Sequence, residues 1–309
     1  MQKIILIVLI LIFLTGGYLF FINRVEIRGN FDLWYRKTTL PPAQEFKKQK
    51  RQDGAEIKNS DIDFLNKSDK DEEKNNAATI LKDDEENKAA LKLKEKNKLS
   101  PSVDSQGAAT ASTTEANKKL PTEINLDVPF VSQAPLKNWD ATHEEACEEA
   151  SVLMVNGFYK GEKYARQEME DNLQKIITWE KEKFGFFEDT TAEETARILR
   201  EYFGLTGATV YYDITVEDIK RELAAGRPVI VPAAGKILPN PYFRNGGPLY
   251  HMLVLKGYTK DGKFISNDPG TNTLGENFTY KFDDLYNAIH DWRADKDILK
   301  GRKAMIVVE

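Results

Sequence analysis

The pattern of apolar and polar positions divides this chain into three parts. Residues 4–22 are uncharged and almost wholly apolar, long enough to cross a bilayer as a helix. Residues 23–122 are rich in Lys, Glu, Asp, Asn, Ser and Ala, and no aromatic occurs between Phe64 and Phe130. Such a stretch buries too little apolar surface to offset its ordering entropy, so it reads as a charged, largely disordered linker, with transient helix over residues 77–98. Residues 123–309 carry alternating helix and strand periods and nearly all the remaining aromatics, and read as one folded domain.

Inside that domain, residues 126–131 look like a short strand. Thr142 with Glu145 makes a capping-box signature for a helix over 142–159, whose inward face carries Cys147, Ala150, Ser151, Met154 and Phe158. Helices are predicted at 166–183, at 191–203 with Gly204 as the stop, and at 215–225 with Gly226 as the stop. Strands follow at 227–232, 251–257 and 263–267, the last two joined by a Lys260-Asp261-Gly262 hairpin turn. A helix over 282–292 and a strand over 304–308 close the chain. Helices first and antiparallel strands after them predict an α+β architecture.

The apolar N-terminal run is expected to be an uncleaved, single-pass anchor. Bulky Phe20, Phe21 and Ile22 stand where a signal peptide would need small residues before its cleavage site. Gly16-Gly17 within it suits helix packing or a kink. An N-terminal anchor commonly leaves its short tail inside and the domain outside the cytoplasm. Arg24, Arg28, Arg36 and Lys37 outnumber Lys3, so the positive-inside rule argues the other way. The expectation carried forward is an extracytoplasmic domain.

Composition narrows the chemistry. Across 309 residues the formal charge is −5, which gives no reason to expect nucleic-acid binding. A single cysteine, Cys147, excludes an internal disulfide framework. The chain contains no P-loop, zinc-ligand spacing or calcium loop, so no cofactor is required. Oligomeric state is not legible.

Three side chains then stand out. Cys147 lies near a helix start, where the dipole favours the thiolate, although Glu144 and Glu148 oppose it; Glu145 and Glu149 project to the other side. His251 opens an apolar strand and shares a face with Leu253 and Leu255. Asp268, with Asn267 as substitute, ends the strand paired with it by the hairpin. The bland readings are an inert buried thiol, a histidine satisfied by carbonyls and an ordinary Asn-Asp-Pro-Gly turn. His143 competes as a base, but its place beside the cap predicts exposure; His290 reads as a surface helix position. Residues 236–250, with Tyr242 and Phe243, could edge a cleft.

The runs VPFVSQAP, CEEAS, GRPVIV, HMLVLKGY and NDPGT, in this order, resemble the peptidase C-thirty-nine-like group, papain-fold relatives of the double-glycine leader peptidases. The resemblance implies a papain-like fold with Cys147 as nucleophile, His251 as general base, Asp268 orienting that base and Gln133 as oxyanion donor. It implies a cysteine peptidase acting on peptide or protein substrates, and with the anchor read at 4–22 the expectation is a membrane-anchored peptidase. The alternatives are an acyltransferase or transpeptidase on the same fold, or a catalytically silent binding domain. No transporter module accompanies the domain, which sets it apart from the leader peptidases.

Overall fold

The computed structural model describes residues 28–44 and 119–309. The anchor predicted at 4–22 and the transient helix at 77–98 lie outside them. Among the described residues no helix is long and apolar enough to cross a membrane.

Seven strands form one sheet in which every pairing is antiparallel, in the order β2-β7-β3-β4-β5-β6, with β1 joining β4 off this path. They are β1 (Ile124–Asn125), β2 (Ala208–Tyr212), β3 (Val229–Ala233), β4 (His251–Tyr258), β5 (Lys263–Asn267), β6 (Phe278–Lys281) and β7 (Ala304–Val308). β4 is buried at all eight positions, as its unbroken HMLVLKG run requires of a strand covered on both faces. It bulges between Leu255 and Gly257, where β1 joins it. A side chain at Gly257 would collide with the backbone of Ile124 and Asn125, so this crossing needs glycine.

Residues 28–39 form helix α1. The domain's helices are α2 (Ala141–Glu144), α3 (Cys147–Lys160), α4 (Arg166–Lys183), α5 (Ala192–Arg197), α6 (Val216–Ala224) and α7 (Phe282–Ala288). α3 packs on β4, with α4 and α5 against it, and is buried continuously from Cys147 to Phe158. The architecture is α+β with an antiparallel sheet.

Several expectations are corrected. The helix predicted over 142–159 is two helices, broken at Glu145 and Ala146. The first cap is Asp140, whose carboxylate accepts from the Thr142 and His143 N–H groups, and Thr142 lies inside the helix. The strand expected at 126–131 does not form: β1 lies just before it, Leu126 makes only an isolated bridge to Gln44, and the chain then leaves the sheet. The helix over 191–203 begins at its Thr191–Glu194 capping box but turns into a π-helix over Ile198–Tyr202. β2 and β6 were not foreseen.

The linker boundary also moves. Residues 28–44 are folded and belong to the same compact unit as residues 119–309. Arg36 Nη2 donates to Leu274 O at 2.7 Å, Lys37 meets Glu276 at 2.9 Å, and the Gln44 N–H donates to Asn125 O at 2.7 Å. By composition this strap merges with the charged stretch that follows it, although its own partners, Leu274, Glu276 and Asn125, lie far along the chain.

Candidate active site

The break before Cys147 has a local cause. The Gln133 side-chain amide donates to His143 O at 2.8 Å and to Glu144 O at 3.1 Å. A continuous helix would use those two carbonyls for the N–H groups of Cys147 and Glu148. Gln133 therefore makes α3 start at Cys147, closer to the helix head than predicted. Its own donors are spent in doing so, so in this state it offers none to an oxyanion.

β3 and β5 flank β4 and fix the register of its first residue, His251, opposite Ala233. His251 Nε2 lies 2.9 Å from Asp268 Oδ1. That carboxylate also accepts from the Gly270 N–H at 3.0 Å, from the Tyr280 hydroxyl at 2.6 Å and from Asn240 Nδ2 at 3.1 Å. Burial pushes the Asp268 carboxyl up, but interaction with His251 and these donors outweighs it and leaves the pKa lowered. An ionised carboxylate only accepts, so Nε2 carries the hydrogen and Nδ1 is the basic nitrogen of the neutral ring. Loop 269–275 turns back so that Asp268 N–H donates to Gly275 O, an approach too close for any side chain at Gly275.

Cys147 is not hydrogen-bonded to His251. Its thiol donates to Glu148 Oε2 at 2.9 Å, while the backbone of Met252, the neighbour of His251 on β4, acts on it in the opposite sense and favours the thiolate. Burial, then the charge and hydrogen bond of Glu148, then Glu149, raise the Cys147 pKa well above its ordinary value. Cys147, His251 and Asp268 are all buried, and the Phe243 ring packs edge-on to the His251 ring at 5.3 Å. Segment 236–250 thus reaches the candidate base, as its position suggested.

The other sequence candidates serve elsewhere. His143 is buried, not exposed. Its Nδ1 lies 2.7 Å from Asp140, and its Nε2 lies 2.9 Å from Glu170 on α4. Burial disfavours its cation, yet the two carboxylates win and raise its pKa. His290 lies beyond the end of α7, with Nδ1 2.7 Å from Gly301 O. Asn267 clips Val128 O and Pro129 O and faces away from the base. Tyr280 and Asn240 were missed, since only the folded sheet brings them to Asp268. Among the described residues no group of three or more His, Cys, Asp or Glu could hold a metal ion.

The sequence profile of the Peptidase C39 like family matches residues 125–298, more than half of the chain. The chain belongs to this family. The match takes in Gln133, Cys147, His251 and Asp268. No curated protein matches it. Among solved structures, this family member is similar to a chain described as a C39-like peptidase from Bacillus anthracis, at 18% identity and TM-score 0.41, covering 60% of this chain and 98% of that one. A prointerpain A fragment from Prevotella intermedia matches at 15% identity and TM-score 0.41, covering 61% and 72%. Active interpain A cysteine protease from the same organism matches at 20% identity and TM-score 0.28, covering 50% and 62%.

Proposed function

We propose that this C39-like family member is a papain-like cysteine peptidase that cleaves peptide or amide bonds and is anchored to a membrane by residues 4–22, with its folded region outside the cytoplasm. The observation that carries the reading is the buried His251–Asp268 pair, whose carboxylate three further donors hold so that Nδ1 is basic, on the strand whose Met252 backbone acts on the Cys147 thiol.

In this mechanism the thiol leaves Glu148, gives its proton to His251 Nδ1 and attacks the scissile carbonyl carbon. The Cys147 backbone N–H, freed from the helix ladder by Gln133, receives the developing oxyanion. The imidazolium then protonates the leaving amine. Water, deprotonated by the same ring, releases the acyl group and restores the thiol. The described arrangement, with the thiol bonded to Glu148, is a resting state that must rearrange before attack.

The test is alkylation of the full chain by a thiol-directed electrophile across pH, with peptide hydrolysis assayed in parallel. The peptidase reading expects His251→Ala to slow alkylation of Cys147 at neutral pH and, like Cys147→Ala, to abolish hydrolysis. A wild-type profile like that of free cysteine, unchanged in His251→Ala, overturns it. One observation favours a second reading, a silent binding domain: the thiol is bonded to a carboxylate and not to the imidazole. Acyl transfer is separated from hydrolysis by adding amine acceptors, which would divert the acyl product.

A further inference from the structure

Helix α1 has two faces of opposite chemistry. On one, Asp32 accepts from the Tyr242 hydroxyl, Arg36 donates to Leu274 O, and Gly29 lies against Leu274. On the other, Phe31, Trp34 and Tyr35 are 58%, 59% and 54% exposed. The spacing of these three, i, i+3 and i+4, puts them in one patch. Among the described residues these rings lie against one another, with Phe31 5.7 Å from Trp34 and 6.4 Å from Tyr35 between centroids. Elsewhere in the described residues the exposed large apolar side chains are scattered singly along the sequence.

We propose that this aromatic face of α1 is a membrane-interface surface that seats the folded region flat on a lipid bilayer. The inference rests on the reading of residues 4–22 as an anchor. That apolar run ends nine residues before Phe31. Nine residues reach at most about 30 Å even when fully extended, so an anchored chain holds α1 beside the bilayer surface. Trp and Tyr favour the headgroup region, where one part of the ring is wet and the other apolar. Arg28, with its side chain 74% exposed and only a 4.0 Å approach to Asp32, supplies positive charge for anionic headgroups, while Lys37 is held by Glu276. An amphipathic helix of this kind lies in the plane of the interface. Here its polar side is taken up by the domain and its aromatic side is left for lipid.

The seating has a functional consequence for the same site. α1 holds Tyr242, whose neighbour Phe243 covers His251, and it holds Leu274 in the loop that follows Asp268. Lipid contact therefore bears on the two loops that surround the base, and the substrates presented there are polypeptides at the membrane surface.

The full chain carrying Cys147→Ser is reconstituted into phosphatidylcholine–phosphatidylglycerol vesicles, with a nitroxide at Thr38→Cys on the aromatic side or at Asp295→Cys as a control. Flotation reports anchoring; accessibility to oxygen and to a water-soluble nickel chelate reports depth. The expected result is co-flotation, with the label at 38 at least about tenfold less accessible to nickel and more accessible to oxygen than the label at 295. Co-flotation with equal nickel accessibility at both positions overturns the seating and leaves the anchor standing. Protection from both reagents with spin–spin broadening between copies overturns it in favour of a protein interface. Absence of flotation overturns anchor and seating together.

Discussion

Glu148 sets the state of the only thiol. Its carboxyl is buried beside Cys147, accepts the thiol hydrogen through Oε2 and leaves Oε1 without a partner. Burial first, and repulsion from Glu149 second, push its own pKa well above the usual carboxylate range. Each charge that forms there disfavours the thiolate. Glu148→Gln is therefore expected to lower the Cys147 pKa and to raise alkylation at neutral pH by about tenfold per pKa unit recovered. If Glu148 were instead the base that activates the sulfur, the same substitution would slow alkylation. At this scale the sequence was legible where chemistry is local. A lone cysteine at a helix start, a histidine opening an apolar strand and an aspartate across the hairpin could all be named. Tyr280 could not, because it reaches Asp268 only once β6 pairs with β5. Glu148 was recognised as an unfavourable charge but not as the thiol's acceptor, which depends on a rotamer.

Helices α3 and α4 face each other through a pair of acids. Glu149 and Glu180 are fully buried, and none of their carboxyl oxygens is satisfied by an ordinary donor. Two such groups in contact share a proton. Burial, then charge from Glu180, raises Glu149 well above 4.5; burial, set against its bond to Glu149, leaves Glu180 at about 8. Glu148 on α3, Glu194 on α5 and Glu188 in the preceding turn add repulsion from around the pair. The folded state thus holds protons that the unfolded chain releases above about 4.5. The stability they confer is fully present below that pH and is lost as pH rises through about 8. The urea midpoint is expected to fall between pH 5 and pH 8. Glu180→Gln should flatten that slope by up to about 1.4 kcal/mol per pH unit. An unchanged slope would show that the pair is not the source. The helices themselves were readable because Thr191, Thr215, Gly204 and Gly226 mark their ends with side-chain caps or left-handed backbone. β2 and β6 were not, being short strands of mixed polarity whose pairing is decided by distant partners.

For the molecule as a whole, the unexpected feature is the path of the chain through α1. The strap that follows it pairs with the region around β1, so residues 44 and 119 are two points on one compact unit. The long charged segment is thus an insertion between α1 and β1, and it does not separate the apolar N-terminus from the domain. A protease that cuts within residues 47–118 would divide the polypeptide without parting the halves. The two fragments should co-purify from detergent at neutral pH and separate only on denaturation. Combined Asp32→Ala and Arg36→Ala should let the nicked C-terminal piece wash free. Parting the domain from the N-terminal piece would then take two events, scission of the covalent bond and release of a non-covalent clasp.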